Sequence, residues 1–401
     1  MRKAMFLALL VFCSISTGCF GGDSDDGFEW PGADSDVCKL DDGLECSVIL
    51  QVEGTAHHSI INPINGELWI VFLEGMIKSW DGENLEDVAD LSEFVSRCHI
   101  EQGLLGLSLD DQFEDSKLVL LSYVESGPCE GENQSDLVLS SAYLRDDGTI
   151  DIQSLTVLKR IEQPYRNHNA GFLLNAGNGS YLWGVGDGGG ANDPDSNGQN
   201  NSSELGTILF FKIQGGSISP ALEGEENQLI LHHGLRNPWR FDLDPSGRLW
   251  IADVGQACWE EVNLVSLDER KNLGWSEREG FHQFHSNGFT NEDGTCNFDE
   301  DEAPKEEGMT DPILSYAHQG GNCSITGGHW IEDNDSPALE GYVYGDFCTG
   351  SLWVLKESEG IWSETYLGTT GEMIVGFGEY FDNDLIVFDW TGNIVKIAQK
   401  S

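Results

Sequence analysis

The feature that most constrains this chain is a recurring unit, a turn rich in Gly, Asp and Asn followed by a short, aromatic-rich β run. It occurs at residues 66–72 (GELWIVF), 117–123 (KLVLLSY), 179–185 (GSYLWGV), 247–252 (GRLWIA), 339–346 (LEGYVYGD) and 383–388 (NDLIVF). Short strands with regular turn signals and few amphipathic helical stretches predict an all-β fold. The units recur at very roughly 50–90 residues, longer than the roughly 40–45 of compact WD-type blades, which suits four-stranded blades with long insertions. The expectation is a six-bladed β-propeller over residues 48–401, after a signal segment at 1–18 and an acidic tether at 19–47. A pair of β-sandwiches is the alternative, but it calls for a linker near the middle, and no Pro/Ser-rich break occurs there. A closed propeller carries its chemistry on loops at one end of the channel.

Charge narrows the partners. Against 21 basic residues stand 69 acidic ones, a formal net charge of −48. Such a chain repels phosphate backbones and anionic lipid, so nucleic-acid binding is excluded, whereas divalent cations are welcome. Hydrophobic residues at 39% supply a sizeable core, which excludes a chain disordered throughout.

Arg2 and Lys3 precede an apolar run from Ala4 to Cys13 and the tetrapeptide Ser16-Thr17-Gly18-Cys19, the pattern of a secretory signal. The last three residues resemble a prokaryotic lipobox, in which Cys19 is lipidated; an ordinary signal peptide is the rival reading. The Gly-, Asp- and Ser-rich residues 20–36 then serve as a solvated tether. Eight further cysteines, Cys38, Cys46, Cys98, Cys129, Cys258, Cys296, Cys323 and Cys348, contain no CxxC pair. An even number in an exported chain reads as four disulfides. Pairing each with its neighbour in sequence is the simplest of the possible arrangements.

Two loops carry candidate chemistry. In the first, Asn167-His168-Asn169-Ala170-Gly171 is followed one hairpin later by Val185-Gly186-Asp187-Gly188. A carboxylate can hold a neutral imidazole in the tautomer that accepts a proton. In the second, His233-Gly234-Leu235-Arg236-Asn237-Pro238 is followed by Ala252-Asp253-Val254-Gly255-Gln256 and Glu260-Glu261-Val262-Asn263. Arg, Asn and exposed Gly backbone suit an anionic or quinonoid ligand with a hard cation on carbonyl oxygens.

These motifs, with Glu101-Gln102-Gly103-Leu104-Leu105-Gly106, Gly206-Thr207-Ile208-Leu209, Asn272-Leu273-Gly274-Trp275 and Ser324-Ile325-Thr326-Gly327-Gly328, occur in the order found in one family. The chain resembles, over about residues 50–397, the glucose/sorbosone dehydrogenase family of soluble PQQ-dependent aldose dehydrogenases and their Hedgehog-interacting-protein-like relatives. The resemblance implies a six-bladed propeller that binds pyrroloquinoline quinone and Ca²⁺ and oxidises an aldose at C1 to the lactone. It implies that His168 is the general base and that Asp187 orients it. Arg236 and Asn237 then contact the quinone, the carbonyls of Gly255 and Gln256 hold Ca²⁺, and Glu101 contacts substrate. Val254 and Thr349 fall at cofactor-lining positions, and Trp239 and Trp259 are candidates for stacking on a ring.

Departures from the family pattern bear on function. Glu332 stands where a Lys is expected, and Thr349 and Ser351 stand near an expected Arg, so the cationic clamp for the three PQQ carboxylates is missing. Val254 replaces a Gln, and Gln256 replaces a Pro. The same losses suit a non-catalytic propeller that binds a protein or glycan at the cell surface, which is the alternative. Residues 187–201 and 291–302 are dense in oxygen ligands without EF-hand spacing, and read either as Ca²⁺ sites or as solvated acidic loops.

Overall fold

Six four-stranded antiparallel sheets follow one another along the chain, each starting at its innermost strand. The structure is a computed structural model that describes residues 38–41, 43–130, 135–222, 229–298, 307–332, 336–371, 373–381 and 384–400; Cys19 and the proposed signal lie outside them. Blade 1 is built from Ala56–Ile61, Leu68–Phe72, Met76–Trp80 and Leu85–Asp90. Blade 2 comprises Leu104–Leu109, Leu118–Val124, Leu137–Leu144 and Ile150–Ile161. Blade 3 comprises Leu173–Gly177, Ser180–Val185, Thr207–Gln214 and Ile230–His233, with the short strands Ser217–Pro220 and Lys271–Asn272 added at its outer side. Blade 4 uses Pro238–Leu243, Arg248–Asp253, Trp259–Ser266 and Leu314–Ala317, and blade 5 uses Ile325–Ile331, Gly341–Asp346, Ser351–Ser358 and Ile361–Thr369. Blade 6 takes three strands from the C-terminus, Ile374–Glu379, Leu385–Asp389 and Asn393–Gln399, and its outermost from the N-terminus, Leu44–Gln51. That last pairing joins the two chain ends and closes the ring, so that no blade is left with an open inner edge.

The six recurring units of the sequence are the second strands of the six blades. Each lies between two strands of its own sheet and between two neighbouring blades, so it is buried on both faces. Leu68–Phe72, Ser180–Val185, Gly341–Asp346 and Leu385–Asp389 are buried at every position. Trp69, Trp183 and Trp250 sit there without exposure beyond 1%, filling the space between blades. Trp183, for example, reaches blade 2 to donate its indole N–H to Ser122 Oγ at 2.8 Å.

The folded body begins earlier than residue 48. Residues 44–47 are part of the closing strand, Lys39–Leu40 pairs with the edge of blade 5, and Cys38 is bonded to Cys46. The physical reason is covalent and hydrogen-bonded anchoring on both sides of a short turn, which the acidic composition of the segment conceals. The other disulfides are Cys98–Cys129, Cys258–Cys296 and Cys323–Cys348, so all four join sequence neighbours as expected.

At the axis the inner strands meet around Arg240, which is buried. Its guanidinium bonds to His57 Nδ1, the His57 carbonyl and the Trp239 carbonyl, and lies over the rings of Phe172 and Trp239 at 4.7 and 5.0 Å. Trp239 also donates its indole N–H to the Val375 carbonyl of blade 6 at 3.1 Å. It is therefore part of the channel wall, committed to inter-blade packing rather than presented as a sugar platform.

Candidate functional site

The loops entering each inner strand and the turns leaving each second strand lie on the same face of the ring. On this face the second strands of blades 3 to 6 end on or just before a buried aspartate: Asp187, Asp253, Asp346 and Asp389. In blade 4 the carboxylate grips its own entering loop, with Asp253 accepting the backbone N–H of Arg236 at 2.8 Å and of Asn237 at 2.7 Å. In blade 5 Asp346 likewise accepts from Cys323 and Ser324 at 3.0 and 3.1 Å. Blade 3 departs from this pattern. Asp187 turns one oxygen to His168 Nδ1 at 2.7 Å and to the Gly189 N–H at 2.9 Å, and the other accepts the Trp275 indole N–H at 2.8 Å.

The consequence is chemical. A carboxylate on Nδ1 assigns the ring proton to that nitrogen and leaves Nε2 as the proton acceptor. His168 Nε2 is buried and has no partner among the described residues.

The loop that carries His168 adopts an unfavourable conformation. His168 and Ala170 have φ of 56° and 48°, which costs non-glycine residues about 1–3 kcal/mol each and persists only where contacts enforce it. Glu101 Oε2 accepts the His168 N–H at 2.6 Å, and Asn237 Oδ1 accepts the Ala170 N–H at 3.1 Å. Asn237 Nδ2 also approaches Glu101 Oε2 at 3.4 Å. Glu101 and Asn237 thus hold the His168 loop, whatever else they contact.

Arg236 is 2% exposed. It donates Nη1–H to the Val254 carbonyl at 3.1 Å, and its guanidinium lies 5.6 Å from the centroid of the Trp275 ring. Its Nε and Nη2 are buried without partners among the described residues. His168, Asp187, Arg236, Asn237 and Glu101 are therefore brought together.

Behind them lies a layer of buried acids, Glu260 and Glu261 of the second sequence motif and Glu279, which sequence reading missed. Glu279 Oε1 accepts three consecutive N–H groups, from Gln256, Ala257 and Cys258, at 2.6, 2.8 and 3.2 Å. Glu260 Oε2 accepts from Gly255 and Ile325 at 3.1 and 3.0 Å, while its Oε1 meets His318 Nε2 at 2.5 Å. Burial pushes the carboxyl of Asp253 up to about 7 against the pull of its backbone donors, and pushes Glu261 and Glu279 upward as well. His318 and His329 lose basicity through burial but are raised overall by Glu260 and Asp242 respectively. The only local signal for this layer was the EEVN run at residues 260–263.

Other expected site residues have different roles. The Val254 side chain is part of the inter-blade core, and its carbonyl holds Arg236. Thr349 Oγ1 bonds to Asp346 Oδ1 of its own turn at 3.1 Å and to Asn322 Oδ1 of the loop entering blade 5 at 3.0 Å. Trp259 stacks on His282 at 4.4 Å, so its face is covered. Glu332 follows the far end of its inner strand and lines a cleft with Asp242, His329 and Glu379 on the opposite side of the ring; it does not occupy the site. In the 187–201 loop, Asp193 spends its oxygens on the N–H groups of Asn197 and Gly198 and on Ser276 Oγ. No group of three or more His, Cys, Asp or Glu side chains able to hold a metal occurs among the described residues.

The shifted groups set a stability prediction. His57, His58, His232 and His233 are held less basic by burial, so their contribution grows with pH up to about 6.5 and is then constant. Above that pH only groups with raised values matter. Asp253 and Glu261 retain protons that the unfolded chain has already lost, and His318 and His329 do the same. The native state then binds more protons, so stability falls as pH rises from about 6.5 to 8. Thermal unfolding in high salt, which screens the long-range repulsion, is expected to show Tm declining across that window; a rising Tm would contradict the assignment.

The fold and its site define a six-bladed β-propeller with a carboxylate-held histidine beside a buried arginine on one face. The family model for Glucose / Sorbosone dehydrogenase matches residues 59–357, and the chain belongs to that family. The HIPL2 protein of Arabidopsis thaliana is 25% identical over 418 residues, covering 85% of this chain and 57% of the plant protein, so the chain spans little more than half of that relative. Among solved structures, the apo-form soluble aldose sugar dehydrogenase of Escherichia coli superposes with a TM-score of 0.72 at 20% identity, covering 89% of this chain and 100% of that one. The PQQ-bound aldose sugar dehydrogenase of Streptomyces coelicolor gives a TM-score of 0.68 at 16% identity, covering 90% and 100%. At those identities the structural likeness establishes the fold.

Whether the residues present suit PQQ and Ca²⁺ depends on the end considered. At the reacting end they fit: His168 Nε2 and Arg236 Nε and Nη2 are buried polar atoms without partners among the described residues. Glu279 Oε2 is a further such atom, on the carboxylate that accepts the N–H groups of Gln256, Ala257 and Cys258, beside backbone where a hard cation suits a carboxylate and carbonyls. At the carboxylate end, the site-face segments 318–324, 347–350, 370–373 and 390–392 of blades 5 and 6 contain no Lys or Arg.

Proposed function

We propose that this chain is an exported, PQQ- and Ca²⁺-dependent aldose dehydrogenase, which oxidises the C1 hydroxyl of an aldose to the lactone and passes the electrons to an external acceptor. The observation that carries this reading is the His168–Asp187 pair with its bare, buried Nε2, sharing Trp275 with Arg236. His168 Nε2 takes the proton of the C1 hydroxyl. Asp187 keeps the ring in the accepting tautomer and stabilises the imidazolium that forms. Arg236 holds unpaired donors toward developing negative charge, and burial of all three excludes water. Glu101 and Asn237 fix the His168 loop, and the Gly255 and Gln256 carbonyls would hold Ca²⁺. When bound, PQQ supplies the two-electron acceptor and Ca²⁺ the charge that favours its reduction. Four disulfides and the Arg2-to-Cys19 segment support export with a lipid anchor at Cys19.

The second reading, a propeller that binds a protein or glycan without turnover, is favoured by the lack of Lys and Arg in the site-face segments of blades 5 and 6. Dye reduction by a panel of aldoses separates the two. Turnover that requires added PQQ and Ca²⁺ supports the enzyme, and a folded protein inert toward every aldose supports the binder.

A further inference from the structure

We propose that Trp275 is a positioning residue that locks Asp187 and Arg236 into one unit and thereby sets the tautomer of His168. As a statement about catalysis it rests on the function proposed above. Trp275 is 3% exposed and lies 88 residues along the chain from Asp187. Its indole N–H donates to Asp187 Oδ2 at 2.8 Å, while its ring lies under the Arg236 guanidinium at 5.6 Å. One rigid side chain therefore touches both charged groups. Asp187 is tied to Arg236 a second time, because its backbone N–H donates to the Arg236 carbonyl at 2.8 Å.

The choice of indole has a reason. It can only donate, and the other groups facing Asp187, the Gly189 N–H and His168 Nδ1, meet the opposite oxygen. With donors on both oxygens, the carboxylate has one orientation in which every bond is made, and in that orientation His168 must keep its proton on Nδ1. In blades 4 and 5 the corresponding aspartates are oriented by the backbone of their own entering loops. In blade 3 the His168 loop faces Asp187 with a side chain instead, and Trp275 supplies the missing donor.

Trp275 is itself held firmly. Its N–H donates to the Gly234 carbonyl at 2.9 Å, its carbonyl accepts Gln199 Nε2–H at 2.6 Å, and Phe284 packs on its ring at 4.7 Å. Gly198 lies against it so closely that a Cβ there would come within 2.4 Å of the Trp275 oxygen and 2.9 Å of its Cδ1. A side chain with no reacting role is thus fixed on four sides.

The test is Trp275→Phe, which keeps a ring beneath Arg236 and removes the donor. With PQQ and Ca²⁺ present, kcat is expected to fall by about 10–100-fold, by analogy with the range seen for hydrogen-bond partners that orient metal-binding histidines, with KM little changed. A loss confined to KM, or none, would overturn the proposal. The second readout needs neither cofactor nor turnover: ¹⁵N NMR of histidine-labelled protein, with the His168 signal assigned by its disappearance in His168→Ala. Wild type is expected to show the single Nδ1–H tautomer and Trp275→Phe a mixture. A tautomer mixture already present in wild type would overturn the proposal even if the variant failed to fold. Absence of aldose oxidation in wild type would sink the proposed function, while the tautomer comparison would still test Trp275.

Discussion

His168→Ala is expected to leave the propeller folded and to lower aldose oxidation by about 10²–10⁴-fold, the usual contribution of a positioned general base. The fold should survive because the contacts that hold the loop do not use the imidazole. Glu101 accepts the backbone N–H of His168, and Asn237 accepts that of Ala170. Asp187 keeps its bonds to the Gly189 N–H and the Trp275 indole, so the truncation leaves no bare buried carboxylate. Turnover should fall by that factor, since no other described histidine is placed on Asp187. Circular dichroism and thermal unfolding beside kcat check both halves; a folded variant with wild-type kcat would remove His168 from the mechanism.

Gly186→Ala should be nearly as damaging by a different route. A Cβ at this position would lie 1.9 Å from the His168 carbonyl oxygen and 3.1 Å from Asn237 Oδ1. The first neighbour is backbone and cannot rotate away, so the catalytic loop must shift. Overpacking of this kind costs about 1–3 kcal/mol, and a displacement of the base by about 1 Å costs on the order of 10²-fold in rate. The expected outcome is a Tm lowered by several degrees together with a kcat loss larger than that destabilisation explains. An unchanged kcat would mean that the His168 loop is less constrained than its contacts indicate.

The fold was legible where burial is two-sided. The second strands read as continuous apolar runs because both their faces and both their edges are covered, and six such runs count six blades. The closing strand Leu44–Gln51 was not legible. Its burial is partial and alternates irregularly, and its partner Asn393–Gln399 lies at the other end of the chain, so no local pattern reports the pairing. The same distinction governs the site. His168, Asp187, Arg236 and Asn237 stand in short loops whose order along the chain carries a family pattern. Glu279 and His318 acquire their roles from contacts across loops, and nothing in their neighbours in sequence marks them; Trp275 and Glu260 stand in short motifs that do not report which groups they touch. Val254, Thr349 and Trp239 were placed by position in that pattern, but their side chains turn into the core, the local turn or the channel wall.

On the proposed function, this face binds a redox quinone against His168 and Arg236 although the site-face segments of blades 5 and 6 offer it no Lys or Arg. The measurement that tests it most directly is a PQQ titration of the purified mature protein in Ca²⁺, followed by absorbance and then by addition of aldose. Saturation at one PQQ per chain is expected, with a spectral change on adding sugar that Ca²⁺ removal abolishes. A folded protein that shows no binding at tens of micromolar PQQ would contradict it, and would leave a glucose/sorbosone dehydrogenase propeller whose site serves another ligand.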